Sequence, residues 1–308
     1  THLNAVPLRS GSQPIGYPTL SHSRRRDWLS EALTITALLL LPLLFWWRLW
    51  ALDPADRATI PQGDFTGQYY PLHLFAAREL ASGRLPAWDP YINGGQPGLA
   101  DIQTGVYYPL NLLPNLLRAL LGLPFTVQAL KTQVILHFSL ASLFSYLLVR
   151  HLALRAGARP AASRFAGAVT ALSFTYGGYL TTSPVQQLTI LQTAIWLPLV
   201  LFFLDRALCR GLRLGQLVLA ALGLACALLA GHPQTAMYLV YSSLAYALFI
   251  VWSERGASPT PGRTDQAKRS KSILRSTVPI LAAVGLGFAL AAIQLGPTLQ
   301  FILHSTRA

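Results

Sequence analysis

The stretch GDFTGQYYPLHLF, residues 63–75, decides how this chain is read, because it returns in part some forty residues later as VYYPLNLL, residues 106–113. Between them runs WDPYINGGQPGLADIQTG (88–105), dense in Gly, Pro, Tyr and Asp. Each YYPL opens a helix, since proline suits the first helical position. From Pro71, the residues Leu72, Phe75, Ala76 and Leu80 fall at helical spacing, and Gly83 supplies a stop. Leu110, Leu113, Leu117 and Leu120 follow Pro109 in the same way. Both helices are too short to cross a bilayer and too one-sided for water. They are expected to lie along a membrane surface with their tyrosines at headgroup depth. A small packing unit outside the membrane is the plainer alternative.

The surroundings explain why a membrane enters the reading. Of 308 residues, 53% are hydrophobic and only 11% charged, against about a quarter charged in soluble domains. Mean hydropathy is +0.43. Apolar runs long enough to cross a core about 30 Å thick predict seven spans, at about 31–51, 127–149, 165–182, 187–205, 214–231, 235–252 and 277–296. The net charge of +13 is no nucleic-acid footprint, because the basic residues cluster beside these runs. Arg9 and Arg24 to Arg26, then Arg150, Arg155, Arg159 and Arg164, then Arg206, Arg210 and Arg213, then the Arg and Lys residues of 255–275 fall on one side of a seven-span chain. The positive-inside rule makes that side cytoplasmic, with the N-terminus. The expected fold class is an all-α, multi-pass membrane protein, with a polar tail over 1–30 and a membrane domain over 31–308 that continues beyond the chain; the bacterial plasma membrane as its location is what the family resemblance given below implies. Cys209 and Cys226 have neither disulfide nor metal spacing.

The long first loop, about 52–126, then faces outward with six of the eleven acidic residues: Asp53, Asp56, Asp64, Glu79, Asp89 and Asp101. Asp64, between Gly63 and Phe-Thr-Gly, reads either as a general base or as a helix cap. Asp89, before a proline, shapes a turn. Asp101 and Gln103 can share a pocket with Asp64, and Tyr69 and Tyr70 stand beside them as substrate contacts. His232 and Gln234, in GHPQT, reach the same outer surface, as do Gln186 and Gln187; each either faces the loop's cavity or merely completes a turn. Lys131 and Arg307 can neutralise a lipid phosphate or snorkel to headgroups. A divalent metal has no supporting ligand pattern. Phosphate-cradling loops, dinucleotide turns, HExxH and nucleophile elbows are missing from the sequence, and no charged residue falls deep in an expected span. Arg48, with Trp46, Trp47 and Trp50, marks an interfacial belt.

Residues 63–113 resemble the first extracytoplasmic loop of the YfhO-type bacterial membrane proteins. AGHPQTAMY (230–238) and AAIQLGPTLQFILHSTR (291–307) resemble later stretches of that family, in the same order, so the likeness runs from about residue 31 to the end. It implies a GT-C fold and transfer of a sugar from a polyprenyl-phosphate carrier to an extracytoplasmic acceptor, with Asp64 in the place of the expected base. Asp64 has no adjacent second acid, which departs from a metal-binding Asp-x-Asp pattern. Two other classes stay open: a lipid flippase or transporter, which needs polar residues along an inter-helix path, and a non-catalytic membrane subunit that packs through AGAVTAL (166–172) and LAAVGLGFALAA (281–292).

Overall fold

A computed structural model describes residues 20–58, 60, 63–209, 212–256 and 265–304. It is helical throughout: α1 (Leu20–Phe45), α2 (Tyr70–Ala81), α3 (Pro109–Leu120), α4 (Val127–Arg155), α5 (Pro160–Tyr176), α6 (Gly178–Thr181), α7 (Ser183–Gln186), α8 (Leu188–Ala194), α9 (Trp196–Leu208), α10 (Leu214–Leu229), α11 (Pro233–Gly256) and α12 (Asp265–Leu303). An isolated extended bridge joins Asp89 and Gln96. A helix stands at every expected span. Among the described residues, four segments are long and apolar enough to cross a bilayer: Asp27–Phe45, Val127–Arg155, Leu188–Leu208 and Val278–Leu303. The third expected span is interrupted at Gly177, and α10 is apolar but has only 16 residues. The expected tail over 1–30 also differs, because α1 already begins at Leu20; its Asp27 and Glu31 pair with Arg164 and Arg150.

Helix α4 lies at the centre, packed against α1, α5, α8 and α9, while α9 in turn meets α10 and α11, and α10 meets α12. Small residues let these helices approach. A Cβ at Gly167 would stand 2.8 Å from the Tyr146 ring, and one at Gly287 would stand 2.9 Å from Leu224, so both small-residue motifs pack against helices of this same chain. Pro198 has no N–H to donate back to Ala194, and the helix is broken at Ile195, which separates α8 from α9.

The two ends of the bundle differ chemically. At one end, the loop of 52–126 folds over the helix termini. Lys131 Nζ donates to the Ala58 carbonyl (3.4 Å), Gln294 Nε2 to Leu99 (2.9 Å) and Thr298 Oγ1 to Ala100 (2.8 Å). At the other end lie Arg150, Arg155, Arg164 and Arg206. There Asp205, fully buried, accepts hydrogen bonds from Arg155, from His151 (2.8 Å) and from the Tyr246 hydroxyl (2.9 Å). Asp205 stands at the last position of the expected fourth span, near the end of Leu188–Leu208, with partners from α4 and α11.

Within the loop, α2 and α3 start where the proline reading puts them and pack on each other. In α3 the polar side faces in. Asn111 and Asn115 are buried, whereas Leu113, Leu117, Leu120 and Leu121 are exposed, which fits a helix lying in a membrane interface. Pro114 leaves the Leu110 carbonyl without its helical partner, and Gln133 Nε2 of α4 fills that place at 2.8 Å. The tyrosines depart from the expected headgroup depth. Tyr69 and Tyr108 are fully packed inside, while Tyr70 and Tyr107 are half-buried. Tyr108 meets His137 (2.9 Å) and Trp196 (3.0 Å). Because His137 Nδ1 faces the Gln133 carbonyl at 2.6 Å, it carries the ring proton; Nε2 then accepts from Tyr108, whose oxygen accepts from Trp196.

Candidate functional site

Asp64 stands at the head of a single π-helical turn, Phe65–Tyr69, which runs directly into α2. Such turns insert one residue into a helix and so turn neighbouring side chains onto new faces, a device frequent at functional sites. The Asp64 side chain makes no capping hydrogen bond. It is half-buried, and its Oδ2 accepts from Gln187 Nε2 at 3.1 Å, in the short connection before α8.

One turn further on, the Tyr69 hydroxyl meets Thr189 Oγ1 of α8 at 2.9 Å. Burial holds the Tyr69 proton more tightly than in a free tyrosine; the Thr189 contact opposes this, and the negative charges of Asp64 and Asp101 add to it. Tyr69 therefore lies within electrostatic reach of both carboxylates. The carboxylates themselves are not paired. Asp101 caps the turn Ile102–Thr104, accepting from the Gln103 N–H (2.9 Å) and from Gln96 Nε2 (3.1 Å). Its pKa is raised, first by burial, against those two hydrogen bonds, with Asp89 rather than Asp64 as the neighbouring charge. The Gln103 side chain accepts from Gln68 on the π turn, which ties the Asp101 segment to the Asp64 segment.

The remaining expected residues spread around this cluster. The His232 turn abuts it, since Gly231, at φ +94°, lies so close that a Cβ would stand 2.3 Å from the Ile102 carbonyl. His232 itself serves its own helix. Its Nδ1 accepts from the Thr235 N–H (3.2 Å) and hydroxyl (2.7 Å), and burial lowers its pKa. Gln234 is exposed and donates to Tyr238, away from the cluster. Tyr70 stacks on Phe125, with ring centroids 6.1 Å apart. Lys131 is engaged with the Ala58 carbonyl. Arg307 lies outside the described residues. Asp89 shapes its turn as expected, accepting from the Tyr91 N–H at 2.9 Å. Among the described residues, no three His, Cys, Asp or Glu side chains gather as metal ligands.

Sequence reasoning missed the cavity next door. A space of about 540 Å³ is lined by Trp46, Trp47, Arg48, Ile60, Thr182 and Gln186, among others. It adjoins the Asp64 segment, as Gln186 Oε1 lies 3.8 Å from the Cβ position of Gly63. Arg48 uses only its Nε, toward the Asp56 carbonyl (3.1 Å), and the buried Trp46 Nε1 has no partner among the described residues. The signal for it was present in WWRLW, an arginine among rings just past a span, but an interfacial belt accounts for that pattern equally well. Comparison of the chain with protein-family models, with curated proteins and with solved structures yields no match in any of the three.

Proposed function

We propose that this chain is a seven-span membrane glycosyltransferase of the GT-C kind, in a bacterial plasma membrane with its N-terminus cytoplasmic. It transfers a sugar from a polyprenyl-phosphate carrier to an acceptor outside the cytoplasm. In the transfer, the bond between the sugar's anomeric carbon and the carrier phosphate breaks, and the acceptor oxygen bonds to that carbon. The acceptor's proton passes to Asp64, while the carrier leaves as its phosphate. Arg48 stands nearest to offset the phosphate charge, with Trp46 Nε1 as a further donor. The aromatic wall suits a prenyl chain, and the open apolar face of α3 suits approach from the lipid side. The resemblance of residues 63–113 to the YfhO-type loop supports the same assignment.

The observation that carries this function is the state of Asp64: a half-buried carboxylate that neither caps a helix nor pairs with a cation, beside a large cavity that holds an arginine. A structural aspartate would be spent on a cap, a turn or a cation, as Asp101, Asp89 and Asp205 are.

Asp64→Asn keeps the size of the group and its contact with Gln187 but removes the proton acceptor. In the full-length protein it is expected to lower transfer from a polyprenyl-phosphate-sugar donor about a hundredfold to ten-thousandfold, with thermal stability near wild type. Arg48→Gln is expected to weaken donor binding instead. Full transfer by the Asp64→Asn protein would remove the base assignment, and failure of the wild-type protein to bind such a donor would remove the transferase itself.

A further inference from the structure

The basic end of the bundle holds a second cavity, of about 290 Å³, lined by His151, Leu154, Arg155, Asp205, Arg206, Cys209 and Arg213. At about 30 Å³ of liquid volume per water, it has room for roughly ten waters. Its floor is electrically settled. Asp205 is buried and its charge is answered by Arg155, while His151 and Tyr246 complete its hydrogen bonds.

Its mouth is not settled. No hydrogen bond or ion pair joins the guanidinium groups of Arg206 and Arg213 to any described residue. Arg206 is held over the Phe202 ring, 5.2 Å from its centroid, and the Arg213 N–H closes the turn onto the Ala207 carbonyl at 3.2 Å. The described carboxylates near this end are already engaged, Asp27 by Arg164 and Glu31 by Arg150. Two cations over a hollow lined mainly by basic side chains, with their nearest acid neutralised, form a receptor for one anion. Guanidinium favours the bidentate geometry of phosphate oxygens.

We propose that this cavity binds a phosphate-bearing anion, in which Arg206 and Arg213 grip the phosphate oxygens and the Asp205 network holds Arg155 beneath them. Its place at a bundle end makes the headgroup of an anionic phospholipid the nearest source, and free phosphate offers the same chemistry. The proposal needs only that the bundle cross a bilayer and is independent of Asp64.

The test uses the full chain in lipid nanodiscs. Native mass spectrometry measures retention of phosphatidylglycerol by wild type and by the double variant Arg206→Gln, Arg213→Gln; both positions are exposed, and the buried Asp205 network stays intact. At about 1 kcal/mol for each arginine, the variant is expected to bind roughly thirtyfold more weakly. A parallel arm titrates inorganic phosphate against the protein in detergent and follows thermal stability. Phosphatidylglycerol retention that falls in the variant identifies a lipid headgroup. A phosphate-induced stabilisation lost in the variant identifies a soluble phosphate compound. Equal retention and equal stabilisation in both proteins, or neither effect in wild type, overturns the site.

Discussion

At the scale of single residues, the loop contains a titratable group placed where it can report on folding. His73 of α2 is 2% exposed, faces Phe125 with centroids 6.1 Å apart, and its Nε2 has no partner among the described residues. Burial lowers its pKa from 6.5 to about 4. Between those values the unfolded chain binds a proton that the folded chain refuses, so the folded loop is fully stable above 6.5 and weakens as pH falls toward 4. The limiting effect is on the order of 3 kcal/mol. Thermal melts of the protein are expected to drop over this pH window. His73→Phe, which retains a ring against Phe125, is expected to flatten that part of the profile while Asp64-dependent transfer persists. A His73→Phe profile identical to wild type would place the acid sensitivity elsewhere.

At the scale of elements, the loop is docked by side-chain hydrogen bonds to its carbonyls and by close backbone approach. Gly231 is the tightest such point, combining a left-handed φ of +94° with the Ile102 carbonyl where its Cβ would be. Gly231→Ala is therefore strained twice, and is expected to loosen the 101–105 turn at a cost of about 2–3 kcal/mol. Limited proteolysis at Gly94–Gly95, expected to be slow in wild type, should then accelerate; an unchanged cleavage rate would show that the loop docks without this contact. Much of the element pattern was legible. YYPL marked both loop helices, and Gly83 marked an end, because proline and glycine act through their own backbone angles. Which ring of each tyrosine pair turns inward was not legible. The second of Tyr107 and Tyr108 is buried, but the first of Tyr69 and Tyr70, because the choice belongs to His137 and Thr189 in helices far along the chain. Asp205 was not legible for the same reason: beside Arg206 it reads as an ordinary charge at a span's end, and its partners sit on α4 and α11. The candidate site was readable only as a set of residue types. The segments of Asp64 and Gln103 are tied by the Gln68–Gln103 hydrogen bond, a link that the local pattern does not encode.

For the whole molecule, the proposed orientation has a direct measure. In a background without Cys209 and Cys226, single cysteines at Asn93 or Thr182, both exposed at the loop end, are expected to react with an impermeant maleimide added outside cells. A cysteine at Gly157, exposed at the basic end, is expected to react only after lysis. The opposite pattern would invert the molecule and put Asp64 on the wrong face for an outward transfer. The loop and basic ends would both keep their geometry under that inversion, so the labelling result bears on function and leaves the fold untouched.

The stitches from α12 to the loop also set an order of events during synthesis. Gln294 and Thr298 hold the carbonyls of Leu99 and Ala100 across 195 and 198 residues of chain. At about 5–20 residues per second, the ribosome needs roughly 10–40 s to make that intervening chain. The loop is thus complete long before its last fastener exists, and in the proposed orientation its carboxylates and glycines stand open to proteases and chaperones outside the cytoplasm until α12 is in place. Slowing translation between residues 120 and 290 should lengthen that exposure and lower the yield of intact protein, whereas the same delay placed before residue 50 should not.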